Sequence, residues 1–299
     1  MSVLLMTVWL TGCVQEEFES TPSPAGNGIR FTLTVPDVNL PSVSSRTMTG
    51  TGTAKKEDEI ETVDILVFDM SKTPAVFLEW VSATGVTQDL ADNSTVSFSA
   101  VLSPTTASTC IVVVANKELD NIVSGFTKGA TTKVEAMEKM LHTQTGKWLA
   151  DGSTTGGYTR IPMYGEKVIS KITPSMDPIT GINMKRMLAR IDIRNNSATS
   201  NFTVEEVYLA NYNTTGYIAP AWNTNGQVTD PVPDTPVLPA GSGKKTEEGD
   251  AILYSVNGNT PYDGEIYTFE SLAAEDAGGT GADGEASRKD ATCLIVKGK

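Results

Sequence analysis

From Ile29 to Val35 the chain alternates without a break. Ile29, Phe31, Leu33 and Val35 are apolar, and Arg30, Thr32 and Thr34 between them are polar. Successive side chains of a strand point to opposite faces, so a period of two buries one face and wets the other. A helix repeats its faces every 3.6 residues and cannot sort such a pattern. The segment is a half-buried strand, and its apolar face needs a second layer to cover it. Other runs can build that layer. Val63 to Phe68 is apolar on both faces, as in a central strand, and Cys110 to Val114 is the strongest β run of the chain. Val96 to Val101, Val168 to Ile172 and Lys185 to Arg194 are further strands. After residue 195 the texture repeats in Val204 to Leu209, Ile252 to Val256, Ile266 to Glu270 and Thr292 to Val296. Only Lys133 to Leu141, with Val134, Met137 and Leu141 at helical spacing, predicts a helix, closed by the Gly-rich stretch 152–157.

Long irregular pieces separate these runs. Residues 36–59 are polar and without period, and Arg46 stands among them between Ser45 and Thr47. Residues 230–243 carry Pro231, Pro233, Pro236 and Pro239, and residues 273–290 are rich in Ala, Gly and Asp. Such pieces cannot fill a core and belong on the surface. Many strands, one short helix and long loops predict an all-β protein of two β-sandwiches in series. The chain stops at Lys299, just after an apolar strand, so the second sandwich is expected to be incomplete.

The start of the chain has a different character. Val3 to Leu10 is apolar but far shorter than the ~20 residues a membrane-spanning helix needs. Leu10-Thr11-Gly12-Cys13 follows it, with small residues ahead of a cysteine. This is the arrangement of a bacterial lipoprotein signal, in which Cys13 takes the lipid and becomes the new N-terminus. Residues 14–28 are acidic and then rich in Ser, Pro and Gly, which suits a tether.

The chemistry of a catalyst is missing. The single histidine, His142, falls at the end of the predicted helix and reads as a solvated helix-terminal residue. No Ser/His or Cys/His constellation and no His/Cys metal cluster can be assembled, and no cofactor is expected. Gly279-Thr280-Gly281-Ala282-Asp283-Gly284 has the spacing of a dinucleotide loop, but no strand leads into it and no helix opens from it. A net charge of −13 repels nucleic acid, which excludes that partner. Cys110 and Cys293 lie in apolar runs and read as two buried small hydrophobes; spacing alone leaves a disulfide between them open.

Several segments, taken in order, resemble the fimbrillins of the Bacteroidales, the type V pilins. They are Gly28 to Pro36, Ser45-Arg46-Thr47, Glu59 to Asp69, Ile161 to Gly165, Met184 to Ile193, Ile266 to Ser271 and Thr292 to Lys299. The resemblance implies two tandem sandwich domains of transthyretin-like topology, over 47–183 and 184–299. Ahead of them it implies a lipoprotein signal over 1–13 and a tether, first strand and cleavable propeptide over 14–46. It implies a structural subunit of an adhesive surface fimbria, exported as an outer-membrane lipoprotein through the lipid on Cys13. An arginine-specific protease cuts such precursors, here at Arg46. The cut removes the strand carrying Ile29, Phe31, Leu33 and Val35, and a strand of another fimbrial subunit fills the groove. Family members continue past the Val-Lys-Gly segment, so the resemblance implies a truncated C-terminus lacking the donated strand. The alternatives are a lipid-anchored anchor or tip subunit and a surface glycan-binding lipoprotein, to which Trp80, Trp148 and Trp222 could contribute. Host or bacterial surface ligands are the remaining expected partners.

Overall fold

A computed structural model of the chain describes residues 29–35, 58–88, 95–148, 159–193, 201–228, 236–255, 262–272 and 291–299. Two sheets form its first part. One has four strands in the order β4 (Thr84–Gln88), β5 (Thr95–Ala100), β1 (Ile29–Thr34), β9 (Ile179–Asn183). The other has five, in the order β10 (Lys185–Arg186), β8 (Met163–Ile169), β6 (Thr109–Ala115), β2 (Val63–Asp69), β3 (Val76–Ser82). Strands β2 and β6 are buried on both faces, as their largely apolar runs predict, with Asp64 the buried polar exception in β2. Ile65, Val67, Ile111 and Val113 join one core with the four-stranded sheet. Leu66, Phe68, Val112 and Val114 point the other way, into a second core.

That second core is closed by elements from distant parts of the chain. Helices α1 (Asp120–Val123) and α2 (Lys133–Lys139) supply Val123, Ala136 and Met137. Later residues supply Ile218, Ala219, Tyr267 and Phe269. Between the two parts, β7 (Leu141–Thr143) pairs with β13 (Thr215–Tyr217). The remaining strands are β11 (Ala189–Ile193) with β15 (Tyr262–Thr268), and β14 (Ile252–Ser255), β12 (Val204–Ala210) and β16 (Cys293–Gly298), with β12 central. Val207, Leu209, Tyr254 and Ile266 lie between these two sheets in a third, smaller core.

The all-β class stands, and several local expectations are corrected. Helix α2 begins with a capping box, in which the Thr132 hydroxyl accepts from the Glu135 amide and Glu135 accepts from the Thr132 amide. It stops at Lys139, because Leu141 to Thr143 are drawn into the pairing with β13. The Gly-rich stretch 152–157 lies outside the described residues. Lys185 to Arg194 is not one strand: β10 ends at Arg186, Met187 and Leu188 turn into the core, and β11 starts at Ala189. Cys293 is exposed rather than buried, since β16 lies at the edge of its sheet and is exposed along most of its length, and Cys110 and Cys293 are both free thiols.

Candidate functional site

Strand β1 occupies an interior place in its sheet. It runs antiparallel to β5, from Ile29 opposite Ala100 to Thr34 opposite Thr95. On its other side it runs parallel to β9, with a bulge between Phe31 and Leu33. The Thr34 carbonyl accepts a further bond from the Met184 amide at 2.9 Å. Ile29, Phe31, Leu33 and Val35 point inward and are at most 4% exposed. The Phe31 ring stacks on Phe98, centroids 5.0 Å apart and planes 7° from parallel. Arg30 and Thr34 are exposed on the outer face. There Arg30 and Thr32 share a hydroxyl-rich trough with Thr84, Thr87, Ser97 and Ser99. Without β1, β5 and β9 would each present a row of unpaired backbone groups above an uncovered apolar floor.

From Asp58 on, the residues ahead of β2 are pinned by side chains from other elements. Ile60 is buried, and its amide donates to Gln88 Oε1 at 3.1 Å. Asn116 has a φ of 57° at the end of β6, a conformation asparagine tolerates better than most residues. From there its amide group donates to the carbonyls of Glu59 and Ile161 at 2.8 and 3.0 Å and accepts from the Glu61 amide at 3.0 Å. Arg160 pairs with Glu59 at 3.2 Å and with Glu61 at 2.6 Å, and Arg186 pairs with Asp58.

A buried polar cluster joins the two parts of the chain. Lys133 is fully buried, 2.6 Å from Glu166 Oε2, and also donates to the carbonyl of Gly226. Tyr164 donates to the same carboxylate at 2.6 Å, and the Val228 amide donates to its other oxygen at 3.2 Å. Burial first, and then the Glu166 charge, hold the Tyr164 hydroxyl well above its usual range. Burial pushes the Cys110 thiol up to about 12, so it is no nucleophile at neutral pH.

His142 is not the solvated helix end expected for it. It lies on β7, opposite Gly216 of β13, with its ring 5.0 Å from Trp148 and 6.5 Å from Phe269. Its Nδ1 is buried without a hydrogen-bond partner, and desolvation lowers its pKa to about 4. Its position near the helix end was legible, but the return of β13 against it comes from residues over seventy positions later. Of the three tryptophans within the described residues, Trp148 is buried, and Trp80 and Trp222 are partly buried against the same core. Trp148 therefore offers no exposed ring. Among the described residues no cluster of three or more His, Cys, Asp or Glu could hold a metal, and no helix is long and apolar enough to cross a membrane. Cys13 and Arg46 lie outside the described residues.

Comparison with known proteins adds a family. The family described as major fimbrial subunit protein (FimA) matches residues 29–185, from β1 through the start of β10. No curated protein matches the sequence. Among solved structures, a proposed cell adhesion protein from Parabacteroides distasonis ATCC 8503 is similar, with 15% identity and a TM-score of 0.50 over 91% of this chain and 75% of that one. This likeness is one of fold. A fimbrial assembly protein from the same organism covers 90% of this chain and 85% of its own, at 11% identity and a TM-score of 0.39. A proposed polysaccharide-binding protein from Bacteroides thetaiotaomicron VPI-5482 covers 91% of this chain and 76% of its own, at 11% identity and a TM-score of 0.37.

Proposed function

Because the chain belongs to the family of the major fimbrial subunit protein (FimA), we propose that it is the precursor of a structural subunit of a cell-surface fimbria, assembled by strand exchange after proteolysis. The family is one of structural surface proteins rather than enzymes. The observation that carries the finer reading is the seat of β1. An interior strand, bonded on both edges and closing a core, comes from the start of the chain. A cut behind it would free a strand whose loss opens a groove between β5 and β9. The groove would then offer main-chain hydrogen bonds along both edges and apolar pockets at every second residue, which is what a strand donated by another subunit needs.

In this proposal the lipid on Cys13 holds the precursor at the outer membrane, and an arginine-specific protease cuts at Arg46. Lipid, tether and β1 leave together. The division into one sandwich over 47–183 and a second over 184–299 belongs to the same proposal, as does adhesion to host or bacterial surface ligands. Three arginines of the described residues are poor sites for a protease, each for a physical reason. Arg30 lies within a paired strand, and Arg160 and Arg186 are held by carboxylates.

The test is limited digestion of the full-length chain with an arginine-specific protease, read by intact mass and by size. Loss of everything through Arg46, followed by growth of oligomers, is the expected result. A folded chain that resists the protease and keeps its lipid would instead be an anchor subunit.

A further inference from the structure

The core beneath the four-stranded sheet is aliphatic with one exception. Among the described residues that form it or pack against it, the aromatic rings are Phe31 and Phe98, and they stack on each other. The rest are Ile, Leu, Val, Ala and Met. Along β5 the inward residues opposite β1 are Ala100, Phe98 and Val96, one small, one large and one intermediate. They meet Ile29, Phe31 and Leu33 in that order, and Ile179 and Ile182 of β9 flank Phe31 and Leu33 on the other edge. If β1 leaves, the groove keeps a single ring in an aliphatic floor, and that ring loses its stacking face.

Resting on the strand-exchange reading above, we propose that Phe98 is the specificity-determining residue of the groove. It selects an extended segment of a neighbouring subunit that places an aromatic ring where Phe31 sits, with aliphatic residues two positions to either side. An aliphatic side chain there leaves the Phe98 face under-packed, because among the described residues no other ring of this core can cover it. The seat also sets register. A slip by two residues, the smallest that keeps apolar side chains inward, moves the incoming ring opposite Ala100 or Val96 and off its partner.

The experiment uses the full-length chain after digestion by the arginine-specific protease, and three labelled peptides. One has the sequence of residues 28–36, and the others carry Phe31→Leu and Phe31→Ala. Affinity is read by fluorescence anisotropy. The Phe peptide is expected to bind about tenfold tighter than the Leu peptide and at least a hundredfold tighter than the Ala peptide, on the order of a lost aromatic pair and of a lost side chain respectively. In the Phe98→Leu chain the preference for Phe over Leu should shrink to about twofold. Equal binding of the Phe and Leu peptides to the unsubstituted chain overturns the proposal, and this arm needs no core substitution that could unfold the protein. If digestion frees no strand, the strand-exchange reading fails, and the seat is decided separately. The same peptides then compete with β1 in the uncut chain at its urea midpoint. Uptake in the order Phe, Leu, Ala supports the seat, and equal uptake overturns it.

Discussion

Lys133 brings a charge into the core, and its surroundings decide whether that charge is tolerable. Glu166, Tyr164 and the backbone of Gly226 and Val228 satisfy one another around it. Removing only the cation would leave a carboxylate without its counter-ion, a cost of about 3–5 kcal/mol for a buried pair. We expect Lys133→Met to lose stability of that order in urea denaturation, and Lys133→Met with Glu166→Gln, whose neutral amide can still accept from Tyr164, to recover most of it. A double variant as unstable as the single one would show that the cluster does not act as a pair. His142 gives a prediction in pH. Its folded pKa of about 4 lies below the ordinary 6.5, chiefly through desolvation and secondarily through Lys117. The unfolded chain therefore takes up the proton first as pH falls. The stability from keeping this ring neutral is complete above about 6.5 and is lost as pH falls towards 4, on the order of 3 kcal/mol at most. The melting temperature of the native chain should drop more steeply between pH 7 and pH 4 than that of His142→Gln; parallel curves would rule the effect out.

At the scale of elements, the pinned segment ahead of β2 guards as well as anchors. Glu59 and Glu61 hold the Arg160 guanidinium against the fold. With both changed to Gln, an arginine-specific protease should begin to cut after Arg160, detected as a new fragment by mass spectrometry, while the native chain yields none. The physical signals behind each element also explain which were readable in advance. Strands β2 and β6 stand out because burial on two faces demands apolar residues at nearly every position. β1 stands out because burial on one face demands alternation. By contrast β3 carries Glu79 and Ser82 on an edge and lacks either pattern, and β9 is five residues long with Gly181 at a φ of 71°. Strands β7 and β13 exist because they pair with each other across the chain. No local pattern marks such three-residue strands. Of the candidate site, the inward side chains of β1 were legible, whereas the Phe98 stack, the Asn116 brace and the Lys133 cluster depend on contacts far apart in sequence.

Over the whole molecule, the second core ties the parts together. Tyr267 and Phe269 pack in the same cluster as Leu66 and Val112, so the later strands help to bury the back of the five-stranded sheet. We expect one calorimetric transition rather than two, because neither part keeps its core without the other. Phe269→Ala should lower stability by about 3–5 kcal/mol and speed amide exchange in β2 and β6 as well as in β15. Unchanged exchange in β2 and β6 would mean that the parts unfold separately. The parallel pairing of β1 with β9 has one more effect, on the order in which the molecule can be made. Leu33 is synthesised early, and its partner Ile182 follows only after every other strand of both first sheets except β10. A nascent chain can give β1 one neighbour once β5 has emerged, but its second edge waits for β9. The oldest strand is thus among the last to be fully enclosed, and pairing at that sequence distance is slow. During that interval a competing strand, or a chaperone that binds strand edges, has its opportunity.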